Sequence, residues 1–265
     1  MKRLFLVLPF LALIACSNTQ PNWVYELESK NPLKEDTNFV SVYFRFDTII
    51  NDFEVSGILY PSYYEEYGWD AYENGVRLFF HNIKTGKEYV WTDWDEESRC
   101  FKLFFMSKNV RDIVSAKKFR GFKSGDYYVF RYDTTHHYYS DNDLLPYAEY
   151  QFFDADFDGE EELILGYYAG GPKGSPWYQV YEITDSVLVE KLPIGETYVW
   201  GLDICTTFDT INKTIINILY DGCCDWGTYA YKADDEGNLY LIYHASTHSN
   251  YEHNILESDT TFFKF

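Results

Sequence analysis

The sequence of 265 residues has few basic residues, only two methionines and no long apolar run. Its 22 Lys and Arg stand against 42 Asp and Glu, so the formal net charge is −20 at pH 7. A surface of that charge repels phosphate groups, which disfavours nucleic acid as a partner. The longest apolar run covers residues 4–15, whereas a helix that crosses a bilayer needs about 20 residues. That run is therefore too short to be a membrane-spanning anchor.

Aromatic residues, in contrast, are abundant. Tyr, Phe and Trp number 26, 21 and 7, and they make up 20% of the chain. Such residues favour β-strands, and the chain repeats short strand-like segments separated by turn residues, as around residues 84–86 and 233–238. We predict an all-β fold of antiparallel strands in a β-propeller-like or sandwich-like arrangement. At most one or two short helices are expected, with the best candidate at residues 108–118.

The first 16 residues have the features of a bacterial lipoprotein signal. Lys2 and Arg3 precede the apolar run, and residues 13–16 read LIAC. A basic start before a short apolar run is typical of a secretory signal, and the LIAC ending resembles a lipobox, whose cysteine thiol receives diacylglycerol. We predict a signal peptide over residues 1–15 and a lipidated Cys16, and Ser17 after it favours the outer membrane. The alternative is an ordinary signal peptide with an incidental cysteine.

The remaining chain is divided by composition only. Residues 16–36 are polar and contain Pro21 and Pro32, which predicts a tether between the lipid and the domain. We then distinguish an N-terminal β region, residues 37–140, from a second β region, residues 141–265. No low-complexity segment separates them, so one continuous domain over residues 37–265 is the alternative.

The cysteines agree with export to an oxidising compartment. Five cysteines less the lipidated Cys16 leave four, an even number that allows two disulfides. A bond between the adjacent Cys223 and Cys224 would be strained, so we expect Cys205 to pair with one of them from a neighbouring strand. Zinc is disfavoured, because two spaced pairs of ligands are missing.

An acidic loop at residues 154–162 reads DADFDGEEE and follows the pattern D-x-D-x-D-G-x-x-E. Alternate carboxylates converge when such a loop curls, Gly159 allows the sharp turn, and several hard oxygen ligands suit Ca²⁺. The predicted ligands are Asp154, Asp156, Asp158, the carbonyl of Glu160, and Glu162. Leu165 stands where an EF-hand has its bidentate Glu, and the flanks are strand-like, which predicts a calcium loop between β-strands. The alternative is a solvated acidic turn without a metal.

The order of features around this loop resembles that of a known family. An apolar strand follows the loop, and then a Gly-rich turn at residues 170–174, strand-like segments, and the sequence DGCC at residues 221–224. This order is similar to bacterial periplasmic lipoproteins with a β-propeller-like calcium-loop domain of the FG-GAP or integrin type. The resemblance covers residues 147–246. It implies a lysozyme inhibitor or immunity protein, because some members of the family act in that way.

Irregular aromatic clusters are the candidates for a binding face. Tyr67, Trp69, Trp91 and Trp94 lie next to carboxylates in segments too irregular for strands. Aromatic rings beside carboxylates can stack on sugars or anchor a protein partner. The alternative is packing over the ends of the β domain.

We therefore expect a lipid-anchored binding protein that is not an enzyme. Its partner would be an envelope or secreted protein, such as a basic muramidase, because the chain is acidic. A surface glycan-binding lipoprotein is the alternative. A hydrolase ranks last, since the sequence has no G-x-S-x-G motif and no spacing singles out a pair of carboxylates.

Overall fold

The structure is a computed structural model. It describes residues 20–64, 71–92, 94–95, 100–101, 121–132, 150–168, 176–194, 202–203, 206–221, 225–250 and 255–264. Strands dominate these residues, and they contain one helix, α1 (Asn22–Ser29). The prediction of an all-β fold is confirmed, and the sheets are stacked as in a sandwich. The predicted helix at residues 108–118 lies outside the described residues.

Three five-stranded sheets make up most of the described part of the fold. The first sheet has the order β4-β3-β2-β1-β7, in which β7 runs parallel to β1 and the other pairs are antiparallel. Its strands are β1 (Val42–Phe46), β2 (Phe53–Tyr64), β3 (Ala71–Asn82), β4 (Glu88–Thr92) and β7 (Tyr127–Phe130). A small two-stranded sheet joins β5 (Trp94–Asp95) to β6 (Cys100–Phe101).

The other two sheets are antiparallel throughout. The central sheet consists of β8 (Tyr150–Phe153), β9 (Glu162–Tyr168), β10 (Pro176–Ile183), β11 (Leu188–Glu190) and β12 (Leu202–Asp203). The third sheet consists of β13 (Thr207–Asp209), β14 (Thr214–Asp221), β15 (Asp225–Ala233), β16 (Leu239–Asn250) and β17 (Ile255–Phe262). The third sheet is ordered as in the sequence, each strand pairing with the next.

The central sheet is buried on both faces. Successive side chains of a strand point to opposite faces, and in β9 this sends Leu163 and Leu165 into a core shared with the first sheet. Ile164 enters a second core, which it shares with Tyr231 and Leu241 of the third sheet. An uninterrupted apolar run is the pattern expected of a strand covered on both sides. Side chains from both predicted β regions therefore share the first core.

Helix α1 packs on the outer face of the first sheet. Val24 and Leu27, three residues apart on one side of the helix, are buried against Tyr43, Ile58 and Phe79. This spacing produces one apolar stripe, which is sufficient for a short helix to dock. The helix begins after Pro21, a residue that is well tolerated at a helix start.

Buried polar contacts fix the chain that follows the helix. The Asn31 side chain donates a hydrogen bond to Ser41 Oγ at 2.8 Å and accepts one from the Tyr60 hydroxyl at 2.8 Å. The prediction that residues 16–36 form a tether is therefore wrong for the described residues 20–36. The apolar stripe and the Asn31 contacts outweigh the polar composition on which the prediction is based.

The one helix among the described residues is not long and apolar enough to cross a membrane.

Candidate metal centre

The acidic loop connects β8 to β9 in the central sheet, so it lies between two strands as the sequence predicts. Phe157 and Gly159 have φ of +64° and +96°, and these left-handed conformations turn the chain sharply. The turn directs two acidic side chains inward. Asp156 is 0% exposed and Glu162 is 2% exposed, which is rare for carboxylates.

Three of the predicted ligands converge in this loop. One carboxylate oxygen each of Asp154, Asp156 and Glu162 lies within 4.8 Å of the other two. Two oxygens on opposite sides of a Ca²⁺ ion are about 4.6–5.2 Å apart, because each Ca–O distance is about 2.3–2.6 Å. Asp154 Oδ1 is also buried without a hydrogen-bond partner among the described residues. The size of the cluster and the unpartnered oxygen both fit a hard cation.

Asp158, a fourth predicted ligand, keeps its carboxylate outside the convergent cluster. Its Oδ1 accepts a hydrogen bond from the Glu160 backbone N–H at 2.8 Å. The Glu160 carbonyl stays a predicted ligand. The Asp158 carboxylate is nevertheless close enough to act electrostatically on Glu162. A curled loop therefore forms as expected, with a smaller group of converging side chains than the pattern suggested.

The cluster carries more negative charge than its hydrogen bonds compensate. The Ala155 backbone N–H donates to Glu162 Oε2 at 2.7 Å, and the Asp158 N–H donates to Asp156 Oδ1 at 3.2 Å. Burial raises the pKa of Glu162 to about 8; the Ala155 N–H opposes this shift, and the charges of Asp158 and Asp154 add to it. A cation bound here would relieve the repulsion and the burial cost together.

Lys191 supplies a positive charge that the sequence did not reveal. It follows β11 directly, its side chain is 14% exposed, and its Nζ contacts Asp156 Oδ2. Burial lowers the pKa of the Lys191 ammonium, and the charges of Asp154 and Asp234 oppose that shift. No local pattern signals this pairing, because Lys191 reaches the loop only through the folding of the central sheet.

A hairpin of the third sheet covers the carboxylates. The turn between β15 and β16 is held by Asp234 Oδ1, which accepts hydrogen bonds from the Glu236 and Asn238 backbone N–H groups, each at 2.9 Å. Gly237 in this turn has a φ of +76°, and a Cβ there would lie 2.5 Å from Asp156 Oδ2. Two features therefore favour glycine at position 237: the left-handed backbone conformation and the close approach of Asp156.

Comparisons with known proteins show little similarity. No family model matches the chain, and no curated protein does. Among solved structures, one described as a Xanthomonas type IV secretion system related protein is 13% identical, over 86% of this chain and 90% of that chain, with a TM-score of 0.37. A likeness this low carries no conclusion about function.

The predicted binding aromatics are not brought together in the described residues. Trp91 is 6% exposed in the first core, and its indole N–H donates to the Tyr181 hydroxyl at 2.7 Å. Its assignment to an exposed binding face is therefore wrong, because the alternation of β4 points it inward together with Tyr89. Trp94 lies in β5, with its side chain outside the described part. The other predicted site residues outside the described part are Tyr67, Trp69, Cys16, Cys205, Cys223 and Cys224.

Proposed function

We propose that the protein is a calcium-stabilised binding protein of the bacterial envelope, held to the outer membrane by a lipid on Cys16. The observation that carries the calcium part is the convergence of Asp154, Asp156 and Glu162, which leaves a buried Asp154 oxygen without a hydrogen-bond donor in the described structure. Hard oxygen ligands of this kind suit Ca²⁺. The lipid anchor is supported by the basic start and the LIAC sequence.

The ion in this proposal has a structural role. Asp156 and Glu162 are almost fully buried, and Gly237 of the third sheet lies against Asp156. A catalytic ion needs an open coordination position that a substrate can reach, whereas a structural ion is closed in by protein. An ion in the loop would connect the central sheet to the covering hairpin, and the protein would function as a binder and not as an enzyme.

Removal of calcium tests this part of the proposal. A chelator should lower the melting temperature of the wild type, because binding to the folded state alone adds to stability. The shift should disappear in Asp156→Ala and persist in Asp259→Ala, a control that removes an exposed acid from β17. An equal shift in the wild type and Asp156→Ala, or no shift in either, would contradict the proposal.

The partner in this proposal is a basic protein, with a muramidase as the first candidate. The net charge of −20 attracts basic proteins over a distance of several ångströms at physiological salt. The resemblance to lysozyme-inhibiting lipoproteins supports the same choice. Protein lacking residues 1–16 should inhibit a lysozyme in a cell-wall lysis assay. Absence of inhibition across the lysozyme classes would remove the immunity interpretation while leaving the calcium site intact.

A cleft beside helix α1 supports a glycan-binding alternative. The cleft has a volume of about 550 Å³ and is lined by Trp23, Arg45, Glu54, His81 and Glu88, among others. Concave sites that combine an aromatic ring with a few polar groups are typical of small-ligand sites. Here Trp23 supplies the ring, and its face lies 5.3 Å from the Arg45 guanidinium.

A glycan array distinguishes this alternative from the protein-binding proposal. Trp23→Ala should abolish any signal that depends on the cleft, and Tyr25→Ala is the control on the exposed side of the same helix. A signal lost in Trp69→Ala or Trp94→Ala, and kept in Trp23→Ala, would assign the glycan to the irregular aromatic clusters. An array without any signal would remove the alternative.

A further inference from the structure

Lys191 is far more buried than the lysines that form surface ion pairs. Its side chain is 14% exposed, compared with 45% for Lys87 and 36% for Lys213, whose acidic partners are fully exposed. Burying an ammonium group is unfavourable unless a well-placed anion compensates. The fully buried Asp156 carboxylate supplies that compensation, so the lysine and the acidic cluster are parts of one arrangement.

We propose that Lys191 is the resident counter-ion of the acidic cluster and that its ammonium competes with Ca²⁺ for the Asp156 carboxylate. This inference rests on the proposed calcium site. The ammonium contacts Oδ2 of a carboxylate whose Oδ1 already accepts the Asp158 N–H, and the metal would need the same carboxylate. Two cations on one buried carboxylate repel each other strongly, because the surroundings screen them less than water does. Calcium therefore enters only when Lys191 withdraws.

The backbone around Lys191 allows the side chain alone to move. The Lys191 backbone N–H donates to the Val180 carbonyl at 2.9 Å, and the Ile194 N–H donates to the Leu239 carbonyl at 2.8 Å. These bonds hold the segment to the central sheet and to the covering hairpin. The lysine side chain has a flexible stem of four carbons, so the ammonium can leave Asp156 while the backbone stays in place.

Asp234 provides a second attraction for the withdrawn ammonium. Its charge already acts on Lys191, although its carboxylate lies in the hairpin turn and not in the cluster. The exchange would thus move the ammonium from Asp156 towards the Asp234 carboxylate in the hairpin turn. The metal-free protein keeps a neutralising charge in the loop, and the calcium-bound protein replaces it by a divalent ion.

The competition lowers the apparent affinity for calcium. If the ammonium occupies the site in about nine of ten molecules, the apparent affinity falls about tenfold, in proportion to the fraction of molecules that are ready to bind. Removing the charge of Lys191 should raise the apparent affinity for calcium by the same factor. It should also destabilise the metal-free protein, since a buried carboxylate then lacks its partner.

The test compares Lys191→Met with the wild type by calcium titration calorimetry and by melting in chelator and in calcium, using the chain from residue 16 with Cys16→Ser. Lys191→Met keeps the apolar stem; it should bind Ca²⁺ at least about tenfold tighter and melt lower in chelator. Lys191→Arg should retain the weaker affinity, and Lys213→Met, the control on an exposed pair, should match the wild type. An unchanged or weaker affinity in Lys191→Met overturns the inference.

A measurement on the wild type does not depend on the folding of a variant. Acetylation by acetic anhydride, read by mass spectrometry, should label Lys191 slowly in chelator and faster in calcium, with no change at Lys213. Equal labelling of Lys191 in both conditions overturns the inference.

The calcium titration separates this inference from the proposed calcium site. Calcium binding by Lys191→Met but not by the wild type supports the competition and rejects calcium stabilisation of the wild type. Binding by the wild type that Lys191→Met does not strengthen rejects only the competition, and no binding by either rejects both.

Discussion

The close approach of Gly237 to Asp156 yields a prediction with a matched control. In Gly237→Ala, a φ of +76° would force a side chain into the left-handed region, at a cost of about 1 kcal/mol. The new Cβ would also lie 2.5 Å from Asp156 Oδ2, well inside the usual contact distance of about 3.5 Å. Gly86→Ala carries the first cost alone, because Gly86 has a φ of +70° and no atom lies within 4 Å of the position of its Cβ.

The second cost follows from how Asp156 is held. Its Oδ1 accepts the Asp158 N–H, and its Oδ2 contacts Lys191, so it cannot move aside freely. Breaking a buried ion pair by removing one partner costs about 3–5 kcal/mol, and we take a partial displacement as about half of that. Gly86→Ala should therefore lose about 1 kcal/mol of unfolding free energy and Gly237→Ala about 3 kcal/mol.

Urea unfolding followed by circular dichroism measures both values, in calcium and in chelator. The larger loss of unfolding free energy in Gly237→Ala should appear as a lower urea concentration at the unfolding midpoint, with an unchanged dependence of the free energy on urea. If the two variants differ by less than about 0.5 kcal/mol, the hairpin does not press on the acidic cluster as described, and the reasoning is refuted.

Three further measurements address other parts of the molecule. Burial raises the pKa of Glu162 from 4.5 to about 8, so the folded state holds this proton more tightly than the unfolded chain. The free energy of unfolding of the metal-free protein should therefore fall as the pH rises from 4.5 to about 8, and urea unfolding in chelator should show a shallower fall for Glu162→Gln. Trp91→Phe removes the donor to Tyr181 and should cost about 2 kcal/mol in urea unfolding, and an unchanged stability would argue against that bond. By the same assay, Leu27→Ala should lower the free energy of unfolding by about 3 kcal/mol, and Tyr25→Ala should lower it by less than about 0.5 kcal/mol. Equal small effects would contradict the docking of α1 and favour a tether over residues 20–36.

The features that depend on local chemistry could be predicted from the sequence. Turn residues between alternating segments predicted the hairpins, and the acidic pattern placed the loop between two strands. Both depend on residues within a few positions of each other. The contacts of Lys191 and Gly237 with Asp156 could not be predicted, because Lys191 follows a distant strand of the central sheet, Gly237 belongs to the third sheet, and neither leaves a local pattern.

Two errors have physical explanations in particular residues. The acidic residues near Trp91 and Trp94 suggest a shared binding face, whereas the alternation of Tyr89 and Trp91 along β4 places both on the buried face. The sequence does not predict helix α1, because its apolar stripe consists mainly of Val24 and Leu27, between two prolines in a polar stretch. Docking on the first sheet supplies the stability that so short a helix lacks alone.

The docking of helix α1 also restricts how the protein can stand on a membrane. The helix starts at Asn22, six residue steps after Cys16, and a fully extended chain of that length reaches about 21 Å. If Cys16 carries the lipid as proposed, the α1 side of the first sheet would be held near the lipid head groups. The third sheet would then be the layer farthest from the bilayer. A soluble partner would approach that sheet first, whereas the cleft beside α1 would face molecules at the membrane surface.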